Sequence, residues 1–367
     1  MSDQDWSGTW SRRLSAMLGF VRAARAAVRP GAGRRAAGRP STRRRAATIV
    51  TTAILTAAAV VAVMTAGIAL ADLGAGRDRP DSAKRQNLGN FDYGVCRGPD
   101  AKCYHDWGNF NPASGFRALL WTRTAGPRHA NLGPPLGPGL DPPLTAANVV
   151  QNQMVRLGRE NGFTVDWTED LAQVATPAQL LKYNAVVFFS SNRATLDDAG
   201  QTSLRQYVRA GGGFVGIHNA FGAEYNWPWY EGLLGNANFY DHGPLQNGIV
   251  QTIDRGDAST ASLPARWTFT DEWYNLIPFP TNVRFLATID ETTLPSGAKG
   301  NLGDPGLGEF HPVAWCQYYD GGRSWVTTLG HDAQDFTGDT TFPGASSFQK
   351  LIAGGIQSAM GMKPFCR

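Results

Sequence analysis

From residue 116 to residue 220 the apolar positions fall in blocks that switch between the period of a strand and that of a helix. An apolar strand is expected over 117–122, followed by a Gly/Pro-rich stretch over 125–143 and a helix over 145–161 with Val149, Val150, Met154 and Leu157 on one face. A second strand reads over 164–167, and Thr176-Pro177 opens a short helix carrying Leu180 and Leu181. Residues 185–190, AVVFFS, are apolar on both alternating faces, the pattern of a parallel strand covered on both sides. The next helix, 196–210, has Asp197 and Asp198 in its first turn and Gly211 just past its end. The strand 213–217 follows, and strand, helix, strand, helix, strand predicts an α/β fold with a doubly wound, mostly parallel sheet.

After His218 the pattern loosens into an aromatic-rich insertion over 221–247, and strands resume over 248–253, 267–270 and 283–290. A C-terminal antiparallel hairpin is expected from 311–319 and 323–329, reversed at Asp320-Gly321-Gly322. Pairing across that turn, with residue numbers summing to about 642, places His311 opposite His331. A final amphipathic helix reads over 347–360.

The amino-terminal part follows other rules. Residues 1–45 hold eleven Arg against Asp3 and Asp5 and lack a periodic apolar face, so they read as a disordered basic arm on the cytoplasmic side. Residues 46–71 carry no charge and are long enough, at about 1.5 Å per residue, for a bilayer core of about 30 Å. They predict either an uncleaved signal-anchor, with the C-terminal domain extracytoplasmic, or an export signal cut after Ala71. The expected location is therefore the cell membrane in a single pass, or secretion. Residues 72–115 read as a linker with a small stapled loop, and the main domain as 116–367. Removing the arm's eleven Arg and two Asp from 34 basic and 30 acidic residues leaves 23 against 28, so the positive balance belongs to the arm and implies no nucleic-acid partner.

All four cysteines lie beyond residue 71, where oxidation is permitted. Cys96 and Cys103 can close a short loop through Gly98-Pro99; Cys316 and Cys366 form a second bridge or remain two buried thiols. A zinc site from Cys96, Cys103 and His105 is the alternative, with wide spacing and no evident fourth ligand.

The chemistry concentrates where GGGFVGIHNA (211–220) stops a buried strand at His218. In an open α/β sheet the carboxyl ends of the strands form the ligand crevice, so His218, Glu272 after the strand 267–270, and His331 after the strand 323–329 are the candidate catalytic residues. Two imidazoles and a carboxylate can move protons at a sugar hydroxyl, carbonyl or glycosidic oxygen. They can equally hold a divalent metal such as zinc, with His242 or His311 as a further ligand. Asn219, Trp229, Trp273 and Tyr274 are candidate substrate contacts, the aromatics as a platform for the apolar face of a sugar ring. The plainer alternative is that a single histidine packs against a backbone carbonyl and that the aromatics fasten the insertion to the sheet. Gly211-Gly212-Gly213 precedes a strand rather than following one, so it is no dinucleotide fingerprint, and no Walker-type loop is present.

Five separated motifs carry a resemblance: WTRTAGPRH (121–129), GGGFVGIHNA (211–220), NWPWYEGLLG (226–235), TDEWYN (270–275) and HPVAWCQYYDGGRSWVTTLGHD (311–332). Together they resemble the ThuA-like family, named for trehalose utilisation, over about 117–362. The resemblance implies a flavodoxin-like fold related to class I glutamine amidotransferases and a place in carbohydrate metabolism, on disaccharides or keto-sugars. Those amidotransferases carry a cysteine nucleophile at the strand-turn-helix elbow; this chain has His218 there, which disfavours glutamine hydrolysis. It also departs from the family pattern at Pro127, where an aromatic residue is usual before Arg128-His129, and at Asn219, where alanine is usual. His129 and His105 are accordingly read as structural or solvent-facing. The expected function is a carbohydrate-active hydrolase, isomerase or lyase; the alternative is a non-catalytic surface domain that binds carbohydrate or another partner.

Overall fold

In a computed structural model, residues 91–92, 94–110 and 115–367 are described. The basic arm, the span expected over 46–71 and the first part of the linker lie outside the described residues. Among the described residues no helix is long and apolar enough to cross a membrane. The expectation of a single-pass membrane protein is corrected to that extent: none of the described residues supplies the span.

The strands are β1 (Phe91–Asp92), β2 (Val95–Gly98), β3 (Phe116–Trp121), β4 (Phe163–Thr168), β5 (Ala185–Phe189), β6 (Gly213–Ile217), β7 (Phe239–His242), β8 (Gln246–Thr252), β9 (Arg266–Asp271), β10 (Tyr274–Leu276), β11 (Arg284–Asp290), β12 (His311–Tyr319) and β13 (Gly322–Thr327). The α-helices are α1 (Val149–Glu160), α2 (Pro177–Leu180), α3 (Asp198–Arg209), α4 (Pro228–Leu233) and α5 (Ala345–Ala359). The main sheet runs β4-β3-β5-β6-β13-β12-β11-β8-β9. The first five of these are mutually parallel, and the strands from β12 onward are antiparallel.

Helices cover both faces, as the unbroken burial of β5 and β6 requires. One face packs Val150, Met154 and Leu157 of α1 with Leu351, Ile352 and Ile356 of α5. The other packs Leu204, Tyr207 and Val208 of α3 with Tyr230 and Leu233 of α4. Asp197 caps α3 by accepting from the Gly200 amide, which fixes where the helix begins. Gly213 admits α5 to the sheet, since a Cβ there would stand 2.4 Å from the Ala359 carbonyl oxygen.

Several expectations shift in detail. The helix expected from 145 begins at Val149, because Asn148 accepts from the backbone and hydroxyl of Thr145 and makes a turn of those residues. The hairpin pairs Ala314 with Thr327 and Tyr319 with Gly322, one residue from the expected register. The β12–β13 pairing stops at Ala314–Thr327, short of His311, which pairs with Ile289 of β11 on its other side and not with His331. Part of the stretch read as a linker joins the sheet: β2 pairs with the end of β12, and Cys96–Cys103 closes the loop that follows β2. Cys316–Cys366 is the second disulfide and ties the carboxyl terminus to β12.

β9 is four places from β13 in the sheet, yet it returns to the same region. Phe269 stacks on Phe348 of α5, and Asp271 Oδ2 accepts from the Gly330 amide just past β13. β9 also runs in the direction of β6 and β13, so its carboxyl end opens on the same rim.

Candidate functional site

Four chain segments converge on that rim. His218 follows β6 directly, with a positive φ of 52°, a strained position for a residue with a Cβ and one that turns its ring inward. Glu272 follows β9. His331 follows β13 through Gly330, whose φ of 128° favours glycine and redirects the chain. His129 comes from the loop after β3, and Arg128 fixes that loop by donating to Glu169 Oε1 (2.7 Å) and to the Thr122 and Gly133 carbonyls. Asn131 ties the same loop to the opposite one, donating to the carbonyls of Gly330 and His331.

The side chains of His129, His218, Glu272 and His331 offer ligand atoms that all lie within 4.8 Å of one another. His218 Nε2 is 3.1 Å from His129 Nε2 and 3.5 Å from Glu272 Oε1. Glu272 Oε1 is 3.9 Å from His129 Nε2 and 3.1 Å from His331 Nδ1. His331 Nδ1 is close enough for an ion pair but is not aligned for a hydrogen bond, and it is buried without one.

The hydrogen bonds fix the chemistry of His218. Its Nδ1 lies 2.8 Å from the Thr328 carbonyl, which can only accept, so Nδ1 carries the proton and the Nε2 lone pair faces the centre. The Tyr274 hydroxyl donates to that lone pair at 2.9 Å. Burial, aided by the neighbouring imidazoles, pushes His218 down to about 4 in spite of the Glu272 carboxylate. The ring is therefore neutral near pH 7.

Burial acts on Glu272 in the opposite sense and raises its carboxyl. The imidazoles of His129, His218 and His331 gathered against it outweigh that and hold it well below the usual carboxylate range. Burial lowers His331, but Glu272 and Asp271 overcome it and leave its imidazole above the ordinary value. Burial and the nearby Glu272 push the Tyr274 phenol well up, so it remains a donor.

The structure thus unites His218, Glu272 and His331, which lie far apart in sequence, and adds His129. The expectation of His129 as structural or solvent-facing did not place it in this group; the structure brings its Nε2 to 3.1 Å from His218 Nε2. Its ring stands edge-on to those of both His218 and His331. Its motif, WTRTAGPRH, was visible, but the anchor that aims it, Arg128 on Glu169, spans 41 positions and leaves no local signal.

His242 stands at the edge of the group. It is 3.4 Å from Glu272 Oε2, while its Nδ1 donates to the Gly243 carbonyl, and it is not one of the four converging ligands. His311 is displaced from the centre altogether. It is buried behind β10, with Nε2 against the Tyr274 carbonyl at 2.9 Å and Nδ1 against Glu291 Oε1 at 2.7 Å. His105 bonds the Arg209 carbonyl and stacks on Trp107, away from the site.

The expected substrate contacts divide. Asn219 and Tyr274 line a cavity of about 300 Å³ whose wall also includes His129, Glu272 and His331. Trp273 does not reach it: its indole is buried and donates to the Gln246 carbonyl. Trp229 donates to Asp320 in the β12–β13 turn, at the opposite edge of the parallel strands. Both were expected at the site because aromatic neighbours in sequence suggest a platform; packing and burial claim them instead.

The donor set suits a metal. Ligand atoms about 2.1 Å from a tetrahedral zinc ion stand about 3.4 Å from each other; four of the six separations here, 3.1 to 3.9 Å, straddle that length, and all six lie within 4.8 Å. The buried, unbonded His331 Nδ1 and the inward lone pair of His218 are the features such an ion would satisfy.

Fold and rim together define an α/β protein of the flavodoxin-like class with a histidine–carboxylate centre at the carboxyl ends of its strands. A family model described as ThuA, trehalose utilisation, matches residues 117–359, and the chain belongs to that family. A protein from Bacteroides uniformis described as ThuA-like is similar in fold, with a TM-score of 0.51 and 23% identity over 66% of this chain and 91% of that one. A second ThuA-like structure, from Parabacteroides merdae, matches at 19% identity with a TM-score of 0.49, covering 68% of this chain and 91% of that one. No curated protein sequence matches the chain.

Proposed function

We propose that this protein is a carbohydrate-active enzyme that works through a divalent cation of the zinc class held by His129, His218, Glu272 and His331. The observation that carries the reading is the convergence of these four ligand atoms within 4.8 Å, from four segments, beside a cavity. A cation there would supply Lewis-acid polarisation of a sugar carbonyl or hydroxyl oxygen. Membership of a family named for trehalose utilisation supports a disaccharide or keto-sugar as the molecule acted on.

The chain's own residues then have separable tasks. The Thr328 carbonyl keeps the His218 proton on Nδ1, so Nε2 remains a ligand. Tyr274 presents a hydroxyl that can donate to a substrate oxygen once His218 Nε2 is engaged. His242, with Nδ1 committed to the Gly243 carbonyl, keeps Nε2 as an acceptor at the cavity wall and serves as the general base. Proton transfer by His218, Glu272 and His331 without a metal is the competing mechanism. Metal analysis of protein purified without chelator decides between them: about one equivalent, with sugar turnover lost on its removal, supports the proposal. A metal-free preparation with full turnover refutes it.

A further inference from the structure

A second chamber of about 900 Å³ adjoins the inner cavity, and Arg193, Tyr225, Phe239 and His242 line both. Trp227 and Tyr240 add aromatic surface to the outer chamber. The neck between the two is rigidly built. Arg193 holds a left-handed backbone, φ 62°, because its amide donates to the Gly222 carbonyl at 2.8 Å and its carbonyl accepts from the Glu224 amide at 3.0 Å. These bonds clamp the loop after β5 to the loop after β6 at the neck that the exposed Arg193 side chain lines. Its guanidinium stands 5.5 Å over the Tyr225 ring, and no carboxylate among the described residues pairs with it.

The one acidic group of the outer chamber, Glu224, is committed elsewhere. Its Oε1 accepts from the amides of Thr195 (2.7 Å) and Leu196 (2.9 Å), and its Oε2 accepts from Gln201 at 2.6 Å. An exposed guanidinium resting over one ring face, with no carboxylate partner among the described residues, offers its donor fork to a planar oxyanion. Aromatic walls beside it suit a sugar ring.

We propose that the outer chamber receives the non-reacting half of the substrate and that Arg193 selects a sugar bearing a carboxylate, an aldonate or uronate unit of a disaccharide. This rests on the carbohydrate reading above and adds to it the substrate's charge and its size beyond one ring.

The test compares lactobionate with neutral lactose, by tryptophan fluorescence and by calorimetry, on the full chain with its metal content measured in parallel. Wild type is expected to bind lactobionate at least tenfold more tightly than lactose at low ionic strength, with the advantage shrinking as salt is added. Arg193→Gln should erase the advantage while retaining the affinity for lactose; Arg193→Lys should keep part of it. His218→Ala, which removes a proposed metal ligand, should still discriminate. Equal affinity of wild type for the two sugars, or an advantage that survives in Arg193→Gln, overturns the acidic-substrate proposal and leaves the carbohydrate reading standing. Binding of neither sugar overturns both.

Discussion

Glu272→Gln is the substitution that separates a metal centre from a hydrogen-bonded cluster. Glutamine keeps the shape of the side chain but removes the charge that lies 3.1 Å from His331 Nδ1 and 3.5 Å from His218 Nε2. Loss of a residue that merely supports a ligand costs about 10–100-fold in metal affinity, so loss of a charged ligand should cost at least the upper figure, about 2.7 kcal/mol. With zinc at about 1,000 times the wild-type Kd, binding stabilises wild type by ~4.1 kcal/mol, and the variant, left at about 10 times its own Kd, by ~1.4 kcal/mol. At roughly 2–4 °C per kcal/mol for a domain of this size, the zinc-induced rise in Tm should be smaller in the variant by roughly 5–10 °C. Thermal unfolding of both proteins with and without zinc reads this directly, because each serves as its own metal-free reference. An identical zinc-induced shift in the two would refute Glu272 as a ligand.

Other consequences follow from the fold. Replacing Cys316 and Cys366 by Ser opens a loop spanning a sequence separation of 50, and the chain-entropy relation gives a loss of about 4 kcal/mol; an unchanged denaturant midpoint would contradict it. Gly213→Ala forces a Cβ to 2.4 Å from the Ala359 carbonyl oxygen, which should destabilise by about 1–3 kcal/mol through overpacking, measured by urea unfolding. Glu291 supplies a pH signal: burial raises its carboxyl, but the bond from His311 prevails and holds it below 4.5. A carboxyl lowered in the folded state adds stability that is fully present above 4.5 and is lost as pH falls through the folded value. Glu291→Gln should therefore flatten the stability–pH curve below about pH 5, and a curve as steep as wild type would remove Glu291 from the account.

The parallel half of the sheet was legible because burial on both faces writes continuous apolar runs, as in AVVFF and GFVGI, and because α3 carries its own cap and stop. The position of His218 at a strand end was legible for the same reason, and those of Glu272 and His331 from the ends of the alternating strand β9 and the hairpin strand β13. What sequence did not reveal depends on contacts without local periodicity. The return of β9 to the rim rests on Asp271 meeting the Gly330 amide, 59 positions away. The aim of His129 rests on Arg128 and Asn131, and the displacement of His311 rests on the end of the β12–β13 pairing at Ala314 and on its bonds to Glu291 and the Tyr274 carbonyl. Trp229 and Trp273 show the converse case, in which a conspicuous run of aromatics serves packing while the less conspicuous Tyr274 reaches the centre.

Anomalous diffraction at the zinc edge, from crystals grown with the metal, tests the central claim most directly. The account predicts one ion bonded to His129, His218, Glu272 and His331, with no direct bond to His311. An ion seated elsewhere, or none at these four side chains at saturating zinc, would contradict it.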